Sequence, residues 1–217
     1  MATSDEARLL YRHLAHERGL HLSDQEADVV AAFLRDHDYA GRPRELVRLH
    51  GTGQLTGDLP TYLVAETWRY RLDDCDVPLS AWRELFLTAR YTKDLAVAGR
   101  PRWPLRLYRG ATYPNRLGRS WTTELDQAFY FARFRQAPGT TATIWTVTAP
   151  PDRLFAYLGG FEHEHVVDVH ELPIRPVDPT ARRTRITARL PTLRPFVARP
   201  PRGGGDDGYR RGLTDGL

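Results

Sequence analysis

Two glutamates that stand two positions apart, Glu162 and Glu164, are the residues of this sequence best placed to do chemistry together. They lie in a strand-like run, and the strand period of two points both carboxylates to one face. A carboxylate beside a ribose stabilises the positive charge that develops when a glycosidic bond is cleaved, and a second one can accept a proton. The spacing therefore predicts one site at which two carboxylates act together.

Candidate partners for these carboxylates stand upstream in two short segments. Arg109 ends a predicted strand beside Gly110, where a guanidinium binds phosphate oxygens through two parallel hydrogen bonds. Further along, Ser120 and Thr122 place hydroxyls on either side of Trp121. Taken singly, the arginine is as well explained as a surface charge and the hydroxyls as cross-strand pairs. Their order along the chain favours a functional site.

The segments at residues 109–110, 120–122 and 162–164 together resemble the arginine, serine and Glu-x-Glu signature of one class of ADP-ribosyltransferases. The resemblance covers residues 109–168. It implies a mono-ADP-ribosyltransferase that splits NAD at the nicotinamide–ribose bond, releases nicotinamide and transfers ADP-ribose to a macromolecular acceptor. The implied fold is a split mixed β-sheet whose cleft holds NAD.

The resemblance also implies roles for single residues. Glu164 would stabilise the ribosyl cation, Ser120 would brace it, and Glu162 would activate or orient the acceptor. A glutamate at the position of Glu162 favours an arginine side chain as acceptor, and hence a protein over a nucleic acid. Arg109 would anchor the NAD pyrophosphate, and Gly110, Ser120, Trp121 and Thr122 would be further contacts to NAD. Thr122 would lie near the nicotinamide ribose, although Trp121 departs from the small residue that the family commonly has there.

Aromatic residues on both sides of these motifs are further candidates. Helical spacing places Phe129 in the core, which leaves Tyr130 and Phe131 to line the nicotinamide pocket. The related enzymes place an acceptor-recognition loop just before the two glutamates. By this resemblance Tyr157 and Phe161 are candidate acceptor contacts.

The first 98 residues predict a set of helices. Apolar residues recur at helical spacing, with helices predicted at 62–72 and 80–91, and Ser23 with Glu26 forms a capping-box pattern at an earlier helix start. The same spacing predicts core positions at Trp68, Trp82, Leu85 and Phe86. Residues 1–98 are therefore predicted to form a helical N-terminal subdomain.

From residue 101 the pattern changes to short β-rich runs. Strands are predicted at 105–109, 119–122, 140–148, 154–158, 162–169, 183–190 and 194–198. A helix is predicted at 124–135, since Thr123 and Asp126 form a capping-box-like start. The fold class predicted is α+β, with a split mixed β-sheet domain at 101–199 and a flexible tail at 200–217.

Composition narrows the class of protein further. The net charge is +4, and all but Lys93 of the 31 basic residues are arginine. No apolar run approaches the roughly 18 residues of a membrane span, and the N-terminus lacks the regions of a secretory signal. Cys75 is the only cysteine, so an intramolecular disulfide is excluded. We expect a cytoplasmic protein without a membrane partner, with delivery into another cell left open.

Metal binding is not predicted. His163 and His165 would share a strand face, with His170 nearby, but no regular third-ligand pattern or cysteine accompanies them. A catalytic zinc site needs about three protein ligands, and a structural one about four. NAD, as a substrate, is the only small molecule that the resemblance implies.

Three other interpretations remain open. The Glu-His-Glu-His run is also typical of a solvated edge strand, whose charges prevent aggregation. If water were the acceptor, the same site would make the protein an NAD glycohydrolase. The arginine-rich stretch at 182–189 would suit a non-catalytic module that binds nucleic acid or protein.

Overall fold

Five helices occupy the first half of the chain, in the computed structural model that describes residues 4–71, 77–134 and 140–177. They are α1 (Ser4–Glu17), α2 (Asp24–Asp36), α3 (Arg42–Gly51), α4 (Leu59–Tyr70) and α5 (Leu79–Thr88). The predicted capping box at α2 is confirmed, because the Ser23 hydroxyl accepts the Glu26 N–H and the Glu26 carboxylate accepts the Ser23 N–H. None of the described helices is long and apolar enough to cross a membrane.

Eight strands follow, with a sixth helix, α6 (Leu125–Phe134), among them. The strands are β1 (Thr92–Lys93), β2 (Ala96–Val97), β3 (Leu105–Ala111), β4 (Ser120–Thr122), β5 (Thr143–Ala149), β6 (Leu154–Leu158), β7 (Glu164–Val167) and β8 (Arg175–Pro176). Strands β1 and β2 lie in the part of the chain predicted to be helical. The predicted strands at 183–190 and 194–198, the arginine-rich stretch at 182–189 and the predicted tail lie outside the described residues.

All eight strands belong to one mixed sheet, in the order β2-β1-β6-β7-β4-β3-β5-β8. Strand β1 pairs with β6 in parallel, and the other neighbours are antiparallel. The α+β class is confirmed. The described strands do not separate into two small sheets as predicted, because β4 pairs with β3 on one side and with β7 on the other.

The two faces of the sheet are covered by different hydrophobic clusters. One cluster joins the helices to β6 and β7 through Ala156, Leu158 and Val166, and it includes all four predicted core residues of the helical region. Leu107 and Val167 belong to the second cluster, with Trp121 and Trp145. Helices α1–α5 therefore share a core with the sheet. The division at residues 98–101 stays a prediction about domain organisation.

Helix α6 packs directly on strand β3 at Gly110. A Cβ atom at this position would overlap the carbonyl oxygen of Ala128 and lie 2.5 Å from the backbone nitrogen of Ala132. Only glycine permits so close an approach of a helix backbone to a strand. At the start of α6, the hydroxyl that accepts a backbone N–H is that of Thr122, which binds the Glu124 amide at 3.1 Å.

Candidate active site

A cavity of about 700 Å³ is lined by the helices α4, α5 and α6 and by the strands β3, β4 and β7. Its volume is within the range typical of small-molecule sites, roughly 300–1,000 Å³. The residues predicted to carry chemistry border it, namely Arg109, Gly110, Ser120, Trp121, Thr122, Phe131, Glu162 and Glu164. The three segments of the motif therefore meet in one place.

Strand register explains why these segments meet. Tyr108 of β3 pairs with Thr122 of β4, which in turn pairs with Glu164 of β7. Paired residues of antiparallel strands point to the same face of a sheet. Three neighbouring strands thus place a phenol, a hydroxyl and a carboxylate side by side, and all three border the cavity.

Glu164 is a buried carboxylate held by two donors from the end of α4. The Trp68 indole Nε1 donates to Glu164 Oε1 at 2.9 Å, and Arg71 Nη2 donates to the same oxygen at 3.3 Å. Glu164 is 6% exposed and Trp68 is 3% exposed. Within the described part of the chain, both hydrogen bonds to this carboxylate end on Oε1, and none is made to Oε2.

Ser120 is linked to Glu164 through Arg71. Arg71 Nη2 donates to Ser120 Oγ at 2.9 Å as well as to Glu164, and its Nη1 donates to the carbonyl oxygen of Trp68 at 2.6 Å. The guanidinium lies 3.6 Å from the centroid of the Trp68 ring, close enough for a cation–π interaction. Ser120 and Glu164 are thus connected through a residue of the helical region, and the bracing role that the resemblance implies for Ser120 stays a prediction.

Arg109 connects β3 to the turn that leads into β4. Its Nη1 donates to the carbonyl oxygen of Ser120 at 2.6 Å, and its Nε donates to that of Asn115 at 3.1 Å. Gly118 leaves room for this contact, since a Cβ atom there would overlap the guanidinium. Arg109 thereby shapes the wall of the cavity, and its role as a phosphate ligand stays a prediction.

Glu162 reaches the cavity by a different route from the one predicted. It lies in a bend before β7 and not in the strand, and the residue between the two glutamates, His163, has a φ of +44°. This left-handed conformation interrupts the extended backbone, so strand alternation does not apply across it. The prediction that a shared strand aligns the two carboxylates is wrong, although both of them border the cavity.

Two of the predicted ligand contacts are built into the core around the site. The Trp121 side chain belongs to the cluster on the opposite face of the sheet, where its Nε1 donates to the carbonyl oxygen of Gly118 at 2.7 Å. Thr122 is buried, and its hydroxyl accepts the N–H of Glu124. Trp121 thereby ties β4 to the turn that precedes it, and Thr122 caps the start of α6.

The aromatic candidates divide into two groups. Phe131 borders the cavity, and Tyr130 packs edge-on against it at 5.6 Å between ring centroids. Phe161 is 56% exposed and packs against Tyr130 at 5.4 Å. Tyr157 lies beside His165 and hydrogen-bonds His163 Nδ1 at 3.1 Å. Tyr130, Tyr157 and Phe161 are outside the cavity lining that the described residues form.

His165, next to Glu164 in the strand, points to the opposite face. Its ring is buried 4.7 Å from the centroid of the Tyr157 ring, and burial lowers the pKa of His165 to about 4, an effect that the nearby His163 reinforces and Glu164 opposes. The buried Nδ1 has no hydrogen-bond partner within the described ranges. Among the described residues, no group of three or more histidine, cysteine, aspartate or glutamate side chains is placed to hold a metal ion.

Replacing His165 with phenylalanine is expected to make stability less sensitive to acid. Because the pKa is about 4 in the folded state, against an ordinary value of 6.5, the unfolded chain binds the proton more readily. Stability is therefore lost as the pH falls from 6.5 towards 4, by about 2–3 kcal/mol for this one residue. Urea unfolding at pH 7.5 and pH 4.5 measures this difference between wild type and His165→Phe.

An exposed histidine provides the control for that experiment. His170 is exposed, so His170→Gln should keep the wild-type loss of stability between the two pH values. Equal losses in wild type and His165→Phe would show that His165 does not titrate in this range.

Asp168 organises a buried cluster of charge beside the site. Its carboxylate accepts hydrogen bonds from Arg83 Nε at 2.9 Å, Arg153 Nη1 at 3.1 Å and Arg119 Nη1 at 3.3 Å. Burial acts to raise the pKa of Asp168, but the hydrogen bonds from Arg83 and from the His170 N–H, with the charge and hydrogen bond of Arg119, outweigh it and lower the pKa. For Arg119, burial lowers the pKa, and the charge and hydrogen bond of Asp168 oppose this shift.

The cluster extends to the cavity through Arg119. This residue borders the cavity, and its Nε and Nη2 donate to the carbonyl oxygen of Leu79, another lining residue at the start of α5. Arg119, Arg71 and Trp68 were not predicted as site residues. Helical spacing marks Trp68 only as core, and no pattern in the sequence distinguishes these two arginines from the others. No model of a known protein family, no curated protein and no solved structure matches the chain.

Proposed function

We propose that this protein is a mono-ADP-ribosyltransferase that cleaves NAD and transfers ADP-ribose to an arginine side chain. The observation that carries the proposal is the buried Glu164 carboxylate, which faces a cavity with one oxygen held and the other available. A negative charge fixed in a poorly hydrated site stabilises developing positive charge more strongly than one in water.

The lining of the cavity fits a dinucleotide. Three arginines, Arg71, Arg109 and Arg119, supply positive charge for phosphates, and Phe131 supplies aromatic surface for a flat ring. When bound, NAD supplies a glycosidic bond to a good leaving group. The protein supplies the carboxylate, the positive wall and a cavity of suitable volume.

Glu162 and Glu164 differ in environment, which suits them to different tasks. Glu164 is buried and held by Trp68 and Arg71, so it is suited to stabilising charge on the ribose. Glu162 is half-buried at the cavity, in a bend instead of a strand. A carboxylate in contact with solvent can exchange protons, and it would also pair with the cationic side chain of an arginine acceptor.

An assay with wild-type protein, NAD and agmatine, a small guanidinium compound, tests the function. We expect nicotinamide release together with ADP-ribosylated agmatine, and a rise in Tm when NAD is added in the absence of agmatine. Free ADP-ribose without modified agmatine would instead indicate an NAD glycohydrolase. No release and no change in Tm, with salt-sensitive binding of nucleic acid, would indicate a non-catalytic binding module.

A further inference from the structure

The C-terminal end of helix α4 contacts Glu164, the proposed catalytic carboxylate. Trp68 belongs to the last turn of the helix, and Arg71 is the residue that follows its end. Both donate to Glu164 Oε1, although the two residues lie 96 and 93 positions away from it in the sequence. We infer that Trp68 is a positioning residue for Glu164, an inference that rests on the proposed function.

A glutamate carboxylate needs such positioning. The torsion that turns the carboxylate about its terminal bond is broad and has no single preferred value, so packing along the rest of the side chain leaves its plane undefined. Two donors on the same oxygen select one orientation. Because Trp68 and Arg71 hold Oε1, Oε2 is the oxygen that would contact the substrate.

Trp68 is itself held rigidly enough to serve this purpose. Its ring packs edge-on against Trp82 at 4.9 Å and against Phe86 at 5.3 Å between centroids, and the Arg71 guanidinium lies 3.6 Å from its centroid. Because the indole has a single donor and no acceptor, Nε1–H can only donate. A hydrogen bond to an ionised acceptor is stronger than one between neutral groups, and burial protects it from competing water.

Helical packing alone does not require an indole at this position. A phenylalanine would keep an aromatic ring in the same cluster, but it has no group to bind Glu164. The indole N–H is therefore the part of Trp68 that connects the helical region to the chemistry.

Trp68→Phe tests the inference, because it keeps an aromatic ring and removes the N–H. We expect kcat for nicotinamide release to fall roughly ten- to a hundredfold, while KM for NAD changes less than about threefold. The Kd for NAD, measured by calorimetry, should stay within about threefold of wild type, since the inference concerns carboxylate orientation and not the binding of the dinucleotide. If Trp68 had a purely structural role, Trp68→Phe would lower Tm, and kcat would not fall selectively while the Kd for NAD stays unchanged.

Phe86→Leu is the matched control. Phe86 is buried in the same cluster and packs against Trp68, but it lies outside the cavity lining formed by the described residues. Phe86→Leu should lower Tm and leave kcat near the wild-type value. If Trp68→Phe fails to fold, a benzothiophene analogue of tryptophan placed at position 68 preserves the shape and still lacks the N–H.

The outcomes separate this inference from the proposed function. A wild-type kcat in a folded variant without the N–H, together with an inactive Glu164→Gln, would overturn the inference and leave the function intact. No nicotinamide release by the wild type would overturn the function, and the inference with it. If kcat falls as much in Phe86→Leu as in Trp68→Phe, the effect comes from core packing and the inference about Trp68 is overturned.

Discussion

Nicotinamide release from NAD is expected to fall by on the order of 10²–10³-fold or more in Glu164→Gln. The amide keeps the size of the side chain, and its oxygen can still accept from Trp68 and Arg71, so the fold and cavity should be preserved. What is lost is the negative charge facing the ribose. Initial rates of release, with Tm as a check on folding, measure the effect.

Glu162→Gln is the paired control, because it removes the other carboxylate of the same cavity. If Glu162 acts on the acceptor, nicotinamide release into water should persist in this variant, while transfer to agmatine should fall sharply. Equal losses of release in the two variants would contradict the division of roles. Full release by Glu164→Gln would remove the main support for the proposed function.

The free energy of unfolding is expected to fall by about 3–5 kcal/mol in Asp168→Ala. This change leaves three arginines without the carboxylate that they share. Arg83 and Arg153 keep some contact with solvent, whereas Arg119 is 6% exposed, so the largest penalty falls on Arg119. Urea unfolding at pH 7 measures the change.

The same substitution at an exposed aspartate provides the control, and pH provides a second check. Asp152 is exposed, so Asp152→Ala should change stability by no more than about 0.5 kcal/mol. Since the pKa of Asp168 is lowered by folding, its contribution is present above the ordinary carboxyl range and is lost as the pH falls through the folded-state value. The gap between wild type and Asp168→Ala should therefore narrow below about pH 4. A loss under about 1 kcal/mol at pH 7 would show that the arginines find other partners.

Local pattern was sufficient to predict most of the regular elements. Helices α4, α5 and α6 and strands β3 to β7 lie where the sequence pattern placed them, within a few residues, because apolar and β-rich runs bounded by turn residues mark each of them. Strands β1 and β2 have two residues each, too few for a pattern to show. Their pairing depends on β6, which is far away in the sequence.

The site was predictable in its motif residues but not in the residues that the end of α4 contributes. Arg109, Ser120, Glu162 and Glu164 stand in a recognisable order, and the structure brings all four to one cavity. The bend at Glu162 depends on the backbone of His163, for which sequence spacing gives no signal. The contact between Trp68 and Glu164 depends on how α4 packs against β7, which one sequence does not reveal.

The hydrogen bond from Trp68 to Glu164 also bears on the order of folding, because its partners are separated by 96 positions. Contacts of such separation close a long loop, and they form only after much of the chain has been synthesised and collapsed. A nascent chain in which β7 has not yet been synthesised therefore lacks the assembled site. A chain that is cut between α4 and β7 also lacks it once the two pieces separate. The proposed activity would therefore first arise when α4 and β7 have packed together.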